Sequence, residues 1–318
     1  MRKLFTLAMI AALSVLALPV GTSQAATASS VAPYVDMGAW PTPVLSTMAS
    51  KGGVKSFTLG FVTSYGCKAS WFGAYDPRTG WQRDEINKLR AAGGDVKISF
   101  GGASGIELAY FCTTPQTLAT EYDAVINAYA LKYVDFDIEG AAVADPTTVA
   151  RRSQALKIIQ DRHPGLKISL TLPVLPNGLT ADGVNVVKSA KNAGVNLDMV
   201  NIMAMDYYQG AGDQGAKAIA AAKATMAQVK SVYGGTDAAA WKKIGVTPML
   251  GVNDSQNEIF LQKDARALVS FAQSVHLGML SFWEQGRDAN ACNGALYRCT
   301  NVAQQPYEFS KIFAGYNG

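Results

Sequence analysis

In Tyr133-Val134-Asp135-Phe136-Asp137-Ile138-Glu139-Gly140, apolar and acidic residues alternate without a break from Val134 to Glu139. Strand side chains alternate faces, so the pattern predicts a β-strand with Val134, Phe136 and Ile138 on one side and Asp135, Asp137 and Glu139 on the other. Set in a barrel, the apolar side meets surrounding helices and the acidic side points inward, where aliphatic side chains are the norm. Three stacked carboxylates there cost desolvation and mutual repulsion. A purely structural role needs cationic partners inside the barrel, and the candidate strands place no Arg or Lys in obvious phase with the acids.

On either side, short β-branched or apolar runs alternate with helical patterns. Candidate strands are Tyr34–Ala39, Ser56–Val62, Asp95–Phe100, Tyr133–Glu139, Lys167–Leu172, Met199–Met205, Ile244–Leu250 and Gly278–Trp283. Candidate helices lie near Val44–Ala49, Arg83–Ala92, Pro115–Ala130, Pro146–Arg162, Ala181–Ala193, Gln214–Val232, Lys263–Val275 and Pro306–Phe313. Eight strands each followed by a helix imply parallel pairing and right-handed crossovers. The predicted fold class is therefore α/β, a (β/α)8 TIM barrel. An open doubly wound sheet is the alternative, but its usual nucleotide-binding glycine loop is missing. No internal repeat or Pro- or Ser-rich linker divides the chain, and the alanine-rich stretch Ala216–Ala224 reads as a helix packed on the barrel. The expectation is one catalytic domain over 32–318, with no α+β insertion because the connection after the seventh strand is short. Chemistry in such a barrel sits at the C-terminal ends of the strands.

The acidic strand suits acid catalysis. Like charges raise the proton affinity of at least one member, so one carboxyl stays protonated beside an ionised neighbour. Glu139 ends the strand and has the longest reach, which makes it the natural proton donor. Asp137 is its neighbour and modulator, and Asp135 lies deeper.

At these residues the sequence resembles glycoside hydrolase family 18, the chitinases and their relatives. Asp135, Asp137 and Glu139 match the last three acids of the family's D-x-x-D-x-D-x-E, with Lys132 departing at the first, out of phase with the inward face. Ser99-Phe100-Gly101-Gly102 resembles the family's S-x-G-G, in which the Ser supports the buried acids and the glycines admit close backbone approach. Trp283 corresponds to the Trp that floors the subsite where the bond breaks. Met203-Ala204-Met205-Asp206-Tyr207 resembles M-x-Y-D, with Met205 in place of the Tyr that steadies the sugar's acetamido group. Tyr207 or Tyr208 is the candidate replacement hydroxyl. The resemblance runs from the first strand through the eighth. It implies hydrolysis of β-1,4 bonds between N-acetylglucosamine units by a substrate-assisted, retaining route, an exception to the two-carboxylate rule. It also implies a chitin or chitooligosaccharide partner and no cofactor.

Three of the five tryptophans, Trp40, Trp71 and Trp283, follow strand ends on the expected active face. Sugars stack apolar C–H faces on such rings, although large aromatics also simply pack. Asn253, Asp254, Glu284, Gln285 and Arg287 follow the last two strands and are expected mainly as solvated loop polars. Metal catalysis has little support, because His163 and His276 are the only histidines and fall near helix ends on the far face. Gly102-Ala103-Ser104-Gly105 is one residue short of a nucleophile elbow, and no phosphate loop occurs.

Met1-Arg2-Lys3, the apolar run Leu4–Leu18 and small residues near 25–28 form the pattern of a secretory signal peptide over 1–28, too short an apolar run for a bilayer span. The mature protein is expected to be extracellular and free of the membrane. A 49% hydrophobic share fills a sizeable core, and only 16% charged residues argues against disorder. The 28 basic and 24 acidic residues leave +4, or +2 without Arg2 and Lys3, no footprint for nucleic acid. A monomer acting on a neutral ligand is expected. Cys67, Cys112, Cys292 and Cys299 have no C-x-x-C spacing, and an even count in an exported chain favours disulfides. Of three connectivities, the favoured one closes Cys292–Cys299 within a polar loop and leaves Cys67–Cys112, the other two staying open. An open groove with internal cleavage is the expected mode. Two rivals remain: an endo-β-N-acetylglucosaminidase acting on N-glycans, and a non-hydrolytic chitin-binding lectin on the same barrel.

Overall fold

Where β-branched and aliphatic residues run together, eight strands of the described residues form the barrel: β1 (Tyr34–Asp36), β2 (Ser56–Ser64), β3 (Asp95–Gly101), β4 (Tyr133–Asp137), β5 (Lys167–Pro173), β6 (Met199–Met203), β7 (Ile244–Thr247) and β8 (Met279–Leu280). The structure, a computed structural model, describes Met1 and residues 30–318, so the segment read as a signal peptide lies, Met1 apart, outside the described residues. Each strand pairs in parallel with the next in chain order. The ring closes between β8 and β1, where Val31 bridges Leu280 and the amides of Ala32 and Tyr34 donate to the carbonyls of Leu280 and Phe282, each at 3.0 Å. This is the (β/α)8 barrel expected from the alternating pattern.

Eight principal helices wrap the ring: α1 (Leu45–Gly52), α2 (Arg83–Ala91), α3 (Pro115–Tyr129), α4 (Pro146–Arg162), α5 (Ala181–Asn192), α6 (Gln214–Tyr233), α7 (Gln262–Val275) and α8 (Glu308–Phe313). Their starts are written locally. Pro115 and Pro146 occupy first turns whose caps, Thr114 and Asp145, accept backbone N–H groups, and such a cap contributes about 1 kcal/mol. The alanine-rich stretch is indeed helical, and Ala218, Ala221 and Ala222 of α6 are buried.

The core lies between ring and helices. Val134, Phe136 and Ile138 are buried on the outer face of the active strand, and Phe136 stacks on Phe100 at 5.1 Å and meets Tyr122 of α3 at 4.8 Å. That packing fixes the phase of β4 and so turns Asp135 and Asp137 inward. Two short hairpins depart from the simple alternation. Ala69–Trp71 pairs antiparallel with the end of β2, and Gly251–Val252 pairs with Ile259–Phe260 inside the connection between β7 and α7. The second hairpin occupies that connection in place of any α+β insertion.

The barrel interior corrects one expectation. Lys97 stands two residues before Ser99 on β3, so it shares the inward phase of the acids, and its Nζ lies 3.2 Å from Met279 Sδ. A lysine at a strand's entry escapes notice because its long apolar stem fills the barrel's lower end while its ammonium reaches toward the far mouth. Both disulfides follow the favoured pairing, Cys67–Cys112 and Cys292–Cys299.

Candidate active site

The strand ends open into a cleft of about 390 Å³, lined from one side of the barrel to the other by residues including Asp36, Asp137, Glu139, Thr171, Met205 and Trp283. Asp135, the preceding inward-facing acid of β4, is buried and does not itself line the cleft. Tyr34 donates to its Oδ2 at 2.8 Å and Ser99 at 2.7 Å, while Thr171 reaches both oxygens at 3.0 Å and Ser169 donates to Oδ1. Hydroxyl donors from both neighbouring strands, β3 and β5, and from β1 across the barrel thus hold a buried carboxyl group. Hydrogen bonds to a charged group contribute about 1.5–3 kcal/mol each, which offsets much of the desolvation. Asn201 of β6 donates to Thr171 at 3.0 Å, and Thr247 of β7 donates to Asn201 at 2.9 Å, extending the network across the barrel.

One register further along β4, Asp137 has no such cage. It is buried, and its Oδ1 finds no hydrogen-bond partner among the described residues. Burial, then the charges of Glu139 and Asp135, push its proton affinity well above the ordinary carboxylate range. Glu139, just past the strand end, is half-buried and shares a side-chain hydrogen bond with Asp137. Burial raises its pKa to about 7, the hydrogen bond from Asp137 opposes the rise, and the charge of Asp206 adds to it. Both shifts favour a proton retained between the two carboxyl groups, and both residues line the cleft.

The approach of β3 to this pair depends on two glycines. A Cβ on Gly101, at φ +104°, would lie 2.0 Å from the Asp137 carbonyl oxygen, and one on Gly102, at φ +87°, would lie 2.7 Å from the Phe61 ring. The Gly102 amide instead donates to the Asp137 carbonyl at 3.1 Å. Both glycines shape the site through the backbone, and Ser99 acts through Asp135. Trp283 forms an aromatic wall of the cleft, stacked on Phe61 at 5.6 Å with 19° between the planes and tilted against Tyr34 at 5.9 Å.

Beyond β6 the structure separates residues that adjoin in sequence. Met205 and Asp206 line the cleft, and Asp206 Oδ1 accepts the Ser255 amide at 2.8 Å. Burial raises the Asp206 pKa. Tyr207 does not line the cleft. It is buried, its amide donates to Glu258 at 2.8 Å, and its hydroxyl is unpartnered among the described residues. Tyr208 is 78% exposed and lies outside the lining as well, so neither tyrosine stands where the replacement hydroxyl was sought. Trp40 is 84% exposed and away from the lining. Trp71 is fully buried with its Nε1 donating to the Tyr129 hydroxyl at 2.8 Å, a packing residue.

The polar residues after β7 and β8 also depart from expectation, since Asn253, Glu284, Gln285 and Arg287 are buried, not solvated. Glu284 caps the short helix Gln285–Asn290, accepting the amides of Gly286 and Arg287 at 2.7 and 2.8 Å, and burial raises its pKa to about 7. Only Asp254 of this group lines the cleft. Residues absent from the sequence reading are Tyr34, Thr171, Asp36 and Tyr297. The inward-phase hydroxyls of β1 and β5 were a usable signal for the first two, whereas a loop tyrosine carries none. Among the described residues, no group of three or more His, Cys, Asp or Glu could hold a metal ion.

The chain is 34% identical to active domain 2 of a thermostable chitinase from Pyrococcus furiosus, solved as catalytic-site mutants complexed with chito-oligosaccharides. The match covers 90% of this chain and 93% of that one, with a TM-score of 0.83. The chain belongs to glycoside hydrolase family 18. Within that family it is 38% identical over 316 residues to a probable bifunctional chitinase/lysozyme of Escherichia coli (strain K12) and 38% identical over 296 residues to endochitinase 11 of Metarhizium anisopliae. These matches cover 93% and 88% of this chain but only 35% and 57% of those proteins. No protein-family model matches the chain.

Proposed function

We propose that this family 18 domain is an exported chitinase that cuts β-1,4 bonds between N-acetylglucosamine units with retention at the anomeric carbon. The observation that carries the reading is the hydrogen-bonded pair Asp137 and Glu139, both lining a cleft walled by Trp283 and both with raised proton affinity. Glu139 gives its proton to the leaving glycosidic oxygen as the C–O bond breaks. The substrate's own acetamido oxygen attacks the anomeric carbon, closing an oxazolinium ion whose positive charge Asp137 stabilises. Glu139, now a carboxylate, takes a proton from water as that water opens the ring, which restores the acid and gives a retained product. Chito-oligosaccharides bound to the Pyrococcus furiosus relative support the substrate class.

Two disulfides, together with the leader pattern of residues 1–28, support export. No helix among the described residues is long and apolar enough to cross a membrane. The short connection after β7, filled by a hairpin alone, supports an open groove and internal cleavage. The test is hydrolysis of a chitin hexasaccharide, with the anomer of the first-formed product read by NMR. Retained β product supports the reading. An α product eliminates the substrate-assisted route, and binding without cleavage transfers the protein to the lectin class. Release of N-glycans from a glycoprotein, with chitin untouched, selects the endo-β-N-acetylglucosaminidase.

A further inference from the structure

After β8 the chain makes an eight-residue ring, Cys292-Asn293-Gly294-Ala295-Leu296-Tyr297-Arg298-Cys299, closed by its own disulfide. It has no regular secondary structure, yet it is clamped three times over. Besides the disulfide, the Asn301 side chain accepts the Gly294 amide at 2.7 Å and donates to the Gly294 carbonyl at 3.0 Å, and the Asn290 side chain donates to the Arg298 carbonyl at 3.0 Å. What this ring presents is an aromatic side chain. Tyr297 is 73% exposed and still lines the catalytic cleft beside half-buried Leu296. A large aromatic held in solvent at a cleft edge gains nothing from core packing. The clamped loop backbone fixes where the ring is anchored, and a fixed anchor removes part of the ordering entropy that binding an apolar face would otherwise cost.

Resting on the chitin reading above, we propose that Tyr297 is a second sugar platform, taking the C–H face of a sugar unit beyond the one over Trp283, and that the Cys292–Cys299 bond sets its position. Tyr297 then determines preference for chain length while Trp283 serves the sugar at the reacting bond. The acids of the cleft take no part in this contact, which needs a ring and not a charge.

The test compares the parent with Tyr297→Ala, Tyr297→Phe and the double variant Cys292→Ser/Cys299→Ser, each in the full chain, on a chitin hexasaccharide and on a chitin disaccharide carrying a small chromogenic leaving group. The kcat/KM ratio of long over short substrate falls about three- to tenfold in Tyr297→Ala, the range that one aromatic stacking contact supports. It stays near the parent value in Tyr297→Phe, which keeps the ring, and falls in the double cysteine variant through a raised KM. An unchanged ratio in Tyr297→Ala overturns the proposal, as does equal loss on both substrates. If the parent cuts neither substrate, the chitinase reading has failed instead. Calorimetric binding of the hexasaccharide to parent and Tyr297→Ala then decides the platform alone, equal affinities overturning it.

Discussion

The two mouths of this barrel carry acidic groups and a cavity each, and they treat charge in opposite ways. At the N-terminal mouth a cavity of about 290 Å³ is bordered by Asp95 and Asp198, and each has a cation beside it: Arg90 at 2.8 Å from Asp95 and Lys167 at 3.0 Å from Asp198. At the C-terminal mouth Asp36, Asp137, Glu139, Asp206 and Asp254 line the larger cleft, and no Lys, Arg or His is among the lining residues. Paired acids are spent on structure. Unpaired ones, withdrawn from water, hold protons more tightly, and four of the five upper acids have raised pKa values, with burial the leading cause. On the proposed mechanism, reactivity comes less from which residues are acidic than from which of them were left without a counter-charge.

The most direct way to break that comparison is Glu139→Gln, which keeps the shape and removes the proton. The kcat on a chitin oligosaccharide falls about 10²- to 10⁴-fold while calorimetry still detects the bound sugar. Retained turnover would place the acid elsewhere. Next, Asp137→Ala removes the group that faces the developing cation, and kcat falls about a hundredfold or more. A change in KM alone would reduce Asp137 to a binding role.

A pH profile sharpens the comparison with a smaller effect. On the proposed mechanism Glu139 acts in its protonated form, so with its pKa raised to about 7 the kcat/KM falls on the alkaline side, about tenfold for each pH unit above that value. The negative charge of Asp206 raises this pKa, so Asp206→Asn moves the alkaline limb to lower pH. A limb that stays put would detach the two groups. The smallest effect belongs to the other mouth. Burial outweighs the attraction of Asp135 and Asp198 and lowers the Lys97 pKa, so Lys97→Met removes a charge that the fold holds at a cost. Thermal unfolding should change by about 1 kcal/mol or less and activity should stay near the parent level. A large loss of activity would mean that the lower mouth speaks to the upper one.

Much of this was legible in the chain. The strict alternation of Val134 through Glu139 specifies a face, and glycines at 101 and 102 specify where backbone must approach backbone. Alternation carries no depth, however. It cannot say that Asp135 ends in a cage of hydroxyls while Asp137, two residues on, has an unpartnered oxygen. It also stops where the strand stops. β6 ends at Met203, and the left-handed backbone at Asp206 (φ +47°) and Tyr208 (φ +55°) then swings Tyr207 away from the cleft that Met205 and Asp206 line. Trp40 and Trp71 were indistinguishable for the same reason, since tertiary packing alone buries one and strands the other. Tyr297 lies in a polar loop whose placement only the folded ring of strands determines.

The hydroxyl cage of Asp135 has one more consequence. Its donors and their partners sit on β1, β3, β5, β6 and β7, so a single side-chain circuit through the carboxylate of β4 visits six of the eight staves of the barrel. None of β1, β3 and β5 can leave that circuit without stripping the Asp135 carboxyl of a donor, and neither β6 nor β7 can leave it without stripping a buried polar side chain of its partner. Amide protons on β4 should accordingly exchange only when the whole barrel opens, and Glu139 just past its tip inherits the stillness of the entire ring.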